Sequence, residues 1–219
     1  MEEFLPILLR CPLFAGVAPE ELAAMLFCMS PRIVACGKGE YLFSEGDPAR
    51  QMGVMLSGSA QIIQEDYHGD RSIVGDLQPG QLFGETFALA QVPALPVSVV
   101  CTEPGRVMLL DCRRIVTTCS TACSHHQRII TNLLQATAQK NLHLHRKLTI
   151  LSRRTTREKL MAYLSDQARM HRSREFTVPF NRQALADYLG VERSALSAEI
   201  GKLRDLGVLE STKSHFKLL

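Results

Sequence analysis

No Cys-x-x-Cys pair occurs in this chain, and its seven cysteines (Cys11, Cys28, Cys36, Cys101, Cys112, Cys119 and Cys123) form an odd, scattered set. That does not read as a disulfide frame. No apolar run approaches the length of a membrane span, and the start, MEEFLPILLR, has no cationic region ahead of its apolar residues. A soluble protein of a reducing cytoplasm, without membrane contact, is expected. A G-x-S-x-G elbow, an H-E-x-x-H helix and a Walker loop are also missing, and Gly37-Lys38-Gly39 reads as a turn between strands. Catalysis therefore has no candidate constellation, and an enzyme is not expected. Internal repeats and low-complexity tracts are absent. Between Arg71 and Arg106 there is no Lys or Arg at all.

What is present is most informative from Asn181 to Leu209. Leu185, Ala186 and Leu189 supply one apolar face, Gly190 turns the chain, and Val191, Leu196, Ile200 and Leu203 supply a second face at helical spacing. Two short helices joined at a tight glycine turn are the geometry of a helix-turn-helix. The outward positions of the second helix are Arg193, Ser194, Ser197, Ala198 and Gly201, a small polar face of the kind a DNA major groove admits. Gly207 stands where a helix C-cap would, and Val208 to Glu210 with Phe216 to Leu218 read as two short strands, completing a winged module. Ahead of it, Ser152 to His171 predicts a helix capped by Ser152 that buries Leu160, Tyr163 and Leu164. Charge follows the same division. From Arg153 onward there are 13 Lys and Arg against 8 Asp and Glu, a net +5, whereas Met1 to Ser152 carries 12 against 14, a net −2. A basic C-terminal part suits phosphate binding.

The chain has 219 residues, enough for one large or two modest domains. Phe4 to Arg10 and Pro19 to Met29 predict short helices. From Pro31 to Asp111 the pattern becomes short apolar runs punctuated by glycine: 32–35, 41–43, 53–56, 60–65, 72–76, 97–101 and 107–110. Closely spaced strands with glycine turns argue an antiparallel roll. Gln81 to Ala90 breaks the pattern with a strand end, a glycine and a helix beginning near Glu85. Amides at Gly84, Glu85 and Thr86 could receive a polar ligand group there, with the Glu85 carboxylate as an acceptor; a plain corner of the roll is the equal alternative. Thr121 to Leu151 then predicts a long helix whose Ile130, Leu134, Thr137, Asn141, Leu144, Leu148 and Leu151 alternate three and four apart. That spacing makes a two-helix seam with a polar middle, where Thr137 and Asn141 fix register or face a ligand.

Taken in this order, the roll, the Phe83-Gly84-Glu85 segment, the seam helix and the winged module resemble the bacterial transcription regulators typified by cyclic-AMP receptor protein and FNR. The likeness covers nearly the whole chain and is strongest over Arg182 to Arg204 and Tyr41 to Gln61, where Glu45-Gly46-Asp47, Gly58 and the run RQALADYLGVERSAL stand in the family's pattern. It implies an α+β architecture: a cyclic-nucleotide-binding-type β-roll (1–120), a dimerisation helix (121–151) and a winged helix-turn-helix (152–219). It also implies a homodimer on a palindromic double-stranded DNA site, acting on RNA polymerase. Ile130, Leu134, Leu144 and Leu148 would form the dimer interface. Gly84, Glu85, Thr86, Thr137 and Asn141 would face the effector. Arg193, Ser194 and Ser197, with Arg182, Gln183 and Lys213 for backbone positioning, would contact DNA.

Two departures stand out. Cyclic-AMP-binding members have an arginine about ten residues after the FGE glutamate to pair with the cyclic phosphate; here that place holds Leu95 and Pro96. The expected effector is therefore a different small molecule. Ala198 replaces the arginine that commonly follows the recognition serine. The cysteine spacing is wrong for an iron–sulfur cluster. Cys119, Cys123 and His126 would share a helical face, with His125, His143 and His145 nearby, but buried thiols and solvated histidines are the commoner result of such spacing, and no haem or metal is expected. Two alternatives stay open: a redox, haem or metal-responsive regulator of the same fold, and a sensor module acting on a protein partner.

Overall fold

The computed structural model describes residues 2–69, 71–117 and 124–219. The chain divides into two compact units, Met1–Gln139 and Lys140–Leu219. In the first, α1 (Leu5–Leu8) follows a 3-10 turn at Glu2–Phe4, so the helix expected over Phe4 to Arg10 is a single turn. α2 (Pro19–Met29) has the predicted bounds. Proline at its first position and Glu20 and Glu21 in its first turn suit a helix start, and Ser30 ends it in the left-handed region.

Strands β1 (Arg32–Cys36), β2 (Tyr41–Phe43), β3 (Gln51–Glu65), β4 (Arg71–Leu77), β5 (Leu82–Phe83) and β6 (Ser98–Asp111) form one antiparallel sheet in the order β1-β6-β3-β4, with β2 on β6 and β5 on β3. α3 (Glu85–Leu89) stands between β5 and β6, and α4 (Cys112–Val116) follows β6. The runs 53–56 and 60–65 belong to one strand, as do 97–101 and 107–110. Gly58 and Gly105 explain why. A Cβ at Gly58, where φ is +73°, would lie 2.6 Å from the Pro104 carbonyl oxygen, and one at Gly105 would collide with the Ser57 carbonyl. The pairing register of β3 and β6 shifts at this crossing. Glycine here lets two long strands bend past each other instead of ending them.

Cys36 and Cys101 form a disulfide, their Cα atoms 6.5 Å apart. This corrects the expectation that the cysteines do not pair. The partners are separated by 65 positions, and only the docking of β1 and β2 on β6 brings them together.

Two apolar clusters hold this unit. One joins α1 and α2 to the sheet through Leu8, Phe14, Met25, Met52 and Met108, and takes in Ile129 and Leu133 of the long helix α5 (Ser124–Leu151). The other fills the roll around Phe43, Met55, Phe83, Leu95 and Val107. Each such side chain stabilises by roughly 1.5–3 kcal/mol when fully buried. Polar bonds fix α5 on this cap: the buried Asn132 amide donates to the Leu13 and Ala15 carbonyls at 3.0 and 2.9 Å, and Arg128 reaches Glu21 at 3.1 Å.

α5 crosses the boundary between the units. The second unit continues with α6 (Thr156–His171), β7 (Glu175–Thr177), α7 (Arg182–Leu189), α8 (Arg193–Asp205), β8 (Leu209–Thr212) and β9 (His215–Leu218). The cap of α6 is Thr155, not Ser152. Thr155 and Glu158 satisfy each other's backbone amides in a capping box, whereas the Ser152 hydroxyl donates back to the Thr149 carbonyl at 3.0 Å. β7, which the sequence reading does not contain, pairs with β9 to make a three-stranded sheet. The core is Leu160, Tyr163, Leu164, Leu185, Leu196, Ile200, Leu203 and Phe216, closed by fully buried Ala186 where the helices approach. Among the described residues no helix is long and apolar enough to cross a membrane.

Candidate nucleic-acid interface and effector corner

The interface begins with how α7 and α8 are held. The Asn181 side chain caps α7 by accepting from the Ala184 amide at 2.9 Å, and Gly190 ends it with φ +58°. The Val191 amide then bonds the Ala186 carbonyl at 3.0 Å, so the chain turns within three residues into α8. Leu196, Ile200 and Leu203 anchor α8 in the core, and the Arg157–Glu199 ion pair at 3.2 Å ties it to α6. The opposite face presents Arg193, Ser194, Ser197 and Ala198, all exposed, with half-buried Gly201. A Cβ at Gly201 would meet nothing within 4 Å.

The wing is the β8–β9 hairpin with Lys213 and Ser214 at its tip. Lys213 takes a positive φ of 53°. The Ser214 hydroxyl donates to the Phe180 carbonyl at 2.9 Å, and its own carbonyl accepts from the Val178 amide at 2.9 Å. Arg182 is turned onto the wing. Its guanidinium donates to the Lys213 carbonyl at 3.2 Å and lies over the Phe216 ring at 5.5 Å, and its partial burial lowers its pKa. Gln183 donates to Asp187 on its own helix at 2.8 Å. Of the six residues expected at DNA, four are exposed without a side-chain bond of this kind and two have the structural partners just described.

An exposed helix face of small polar residues led by an arginine, beside a fixed hairpin, has the size and polarity that a major groove admits. Comparison with protein families agrees. Residues 158–219 match the Crp-like helix-turn-helix domain, and residues 33–121 match the cyclic nucleotide-binding domain.

The chain belongs to the Crp/Fnr family of DNA-binding transcription regulators.

Among relatives of this Crp/Fnr regulator, Electron transport regulator A of Shewanella oneidensis is 26% identical over 79% of the chain and 69% of that protein. The CRP-like cAMP-activated global transcriptional regulator of Mycobacterium tuberculosis is 28% identical, over 47% of the chain and 45% of that protein. In fold, the catabolite activator protein of Thermus thermophilus superposes with a TM-score of 0.56 at 22% identity, over 95% of this chain and 93% of that one.

In the regulator's first unit, Gly84 takes φ +76° between β5 and α3, and a Cβ there would lie 2.9 Å from the Phe43 ring. Glycine is required on both counts. Glu85 is buried, at 1% exposure, and Thr86 is exposed. Burial first, then the charges of Asp111 and Glu85, push the Cys112 thiol up to about 12. That thiol is protonated at neutral pH and offers no thiolate. Where cyclic-AMP-binding members place an arginine, Leu95 is buried, its amide donating to the Asp47 carbonyl at 2.8 Å and its carbonyl accepting from Gly46 at 2.9 Å. Ser98, absent from the sequence reading, accepts from the Glu45 amide at 2.9 Å. Residues of the Glu45-Gly46-Asp47 motif therefore serve to fix the 95–98 segment.

On α5 the Thr137 hydroxyl donates to the Leu133 carbonyl at 2.9 Å, and Asn141 is exposed in the second unit. Leu134, Leu144 and Leu148 are exposed at 64%, 63% and 67%, and Ile130 is half-buried. Among the described residues no cluster of His, Cys, Asp or Glu could hold a metal. Cys119 and Cys123 lie outside the described residues; His126 is buried and its Nε2 donates to the Arg114 carbonyl at 2.9 Å.

Proposed function

We propose that the chain works as a homodimer, reads a near-palindromic DNA site, and answers to a small effector other than cyclic AMP. The effector reading is carried by one observation: a buried leucine, Leu95, stands where a phosphate-pairing arginine would be needed. The nearest cations in sequence are Arg71 and Arg106. A phosphate charge buried without a cation is costly enough to exclude a ligand at physiological concentration. The ligand named for the mycobacterial relative is therefore not carried over to this chain. We assign effector contacts to the corner of Gly84, Glu85 and Thr86, with Thr137 as a further candidate.

Dimerisation is supported by Leu134, Leu144 and Leu148, a row of exposed leucines on one helix at seam spacing. Water contact over such a row is relieved when a second copy covers it. A twofold pair also sets two recognition helices about one DNA turn apart, roughly 34 Å. The effector would act by binding one arrangement of the dimer better than another, since only differential affinity shifts such an equilibrium. RNA polymerase is the partner this reading implies, and the cytoplasm the compartment.

Titration of cyclic AMP into the purified protein tests the effector reading. No saturable binding is expected in the micromolar range, and micromolar binding overturns it. Sedimentation tests the dimer: the protein should sediment as a dimer, and the Leu144→Glu, Leu148→Glu variant as a monomer. A monomeric parent protein overturns that part.

A further inference from the structure

The register of β3 against β6 sets Gln51 opposite Asp111, and the Cys112 amide donates to the Arg50 carbonyl at 3.2 Å. This neighbouring backbone brings together two cations that are far apart in the chain. Arg50 and Arg113 both line a cavity of about 840 Å³. Its apolar wall includes Leu89, Val92, Pro93 and Val116, and among the described residues no carboxylate lines it.

Neither guanidinium has a hydrogen-bond or ion-pair partner among the described residues. The nearest carboxylate in sequence, Asp111, caps α4 by accepting from the Arg113 amide at 2.9 Å. Pockets that take small ligands typically measure about 300–1,000 Å³, with apolar walls and a few convergent polar groups. Here the polar groups are two forked cations and the neutral amide of Gln91. Cys112 also lines the cavity, and its thiol, raised to about 12 by burial, is protonated at neutral pH and places no negative charge beside the two cations.

We propose that this cavity binds a small amphipathic carboxylate, its head on Arg50 and Arg113 and its alkyl or aryl body along Leu89, Val92, Pro93 and Val116. Guanidinium matches carboxylate geometry in a two-bond fork, and the apolar wall removes the tail from water. The site is separate from the effector corner. Gly84, Glu85 and Thr86 do not line it, although α3 begins at that corner and contributes Ala88 and Leu89 to the cavity wall. It stands whether or not the effector reading holds.

The test is calorimetric titration of the full-length protein with octanoate, and in parallel with octanol and inorganic phosphate. Both arginines are exposed, so Arg50→Gln and Arg113→Gln leave the packing intact, which the thermal midpoint and DNA binding verify. Octanoate should saturate one site per chain, and the double variant should weaken it about tenfold or more. Octanol and phosphate, each carrying half of the recognition, should bind weaker than octanoate by a similar factor. The proposal is overturned if octanoate does not bind, if the double variant binds it as well as the parent, or if phosphate alone binds as tightly. Undiminished binding in the double variant would place the tail elsewhere, with the exposed leucines of α5 as the next surface to substitute.

Discussion

The Arg182 guanidinium donates from α7 to the Lys213 carbonyl at the wing tip, at 3.2 Å, while lying over the Phe216 ring. Lys213 sits at the wing tip with a left-handed backbone, so this bond helps hold an otherwise strained turn. Arg182→Ala should weaken DNA binding by disordering the wing, and Arg182→Lys should not rescue it, because an ammonium lacks the planar stacking surface. The slope of log affinity against log salt should stay unchanged. A slope lowered by about one would mean that Arg182 contacts phosphate directly.

Arg193 is free to do what Arg182 is not. It opens α8, is exposed, and stands first on the face turned away from the core. Arg193→Ala should cost about 1–3 kcal/mol on the preferred site and relax one base position. Binding measured across a panel of single-base variants separates the cases: equal loss on every sequence would assign Arg193 to the phosphate backbone.

Gly201 lies mid-helix with open space around its missing Cβ. Glycine there destabilises a helix by about 0.5–1 kcal/mol relative to alanine. Gly201→Ala should therefore raise stability by about that amount in urea titration while lowering DNA affinity, if the bare backbone lies on the face we propose to enter the groove. Stabilisation without any loss of affinity would remove Gly201 from the contact surface.

The cap of α6 gives a pH dependence of known sign. The Glu158 carboxylate accepts from the Arg154 and Thr155 amides, both at 3.1 Å, and these bonds, with the Thr155 backbone first, lower its pKa. A depressed carboxylate contributes stability that is present above its ordinary range and lost as pH falls through the folded value. Glu158→Gln should flatten that part of the acid limb of stability against pH. Thr155→Ala, which removes the hydroxyl that accepts from the Glu158 amide, should cost about 1 kcal/mol at neutral pH.

How far the sequence could be read depended on distance along the chain. The bounds of α2, the Gly190 turn, the buried faces of α7 and α8 and the start of α3 at Glu85 are set by neighbours within four residues, and all are legible. The capping box of α6 is legible too, in Thr155-x-x-Glu158, but Ser152, three residues earlier, competes for the role. Features set by distant partners were not. Cys36 and Cys101 meet only through the docking of β1 and β2 on β6, and Arg50 and Arg113 come to line one cavity only through the pairing of β3 with β6. β7 is three residues, Glu175, Phe176 and Thr177, an alternation too short to mark a strand, and takes its strand geometry from β9. Gly58 and Gly105 look like turn residues because a glycine needed for close crossing and one needed for reversal have the same local signature.

The central claim is that the winged module reads sequence as part of a twofold pair, and DNA selection on the purified protein tests it most directly. The enriched pool, sequenced with and without an extract of the source cells, should converge on a near-palindrome with half-sites about one helical turn apart. Sharper enrichment with extract would add a diffusible effector. A pool that stays random under both conditions contradicts the account.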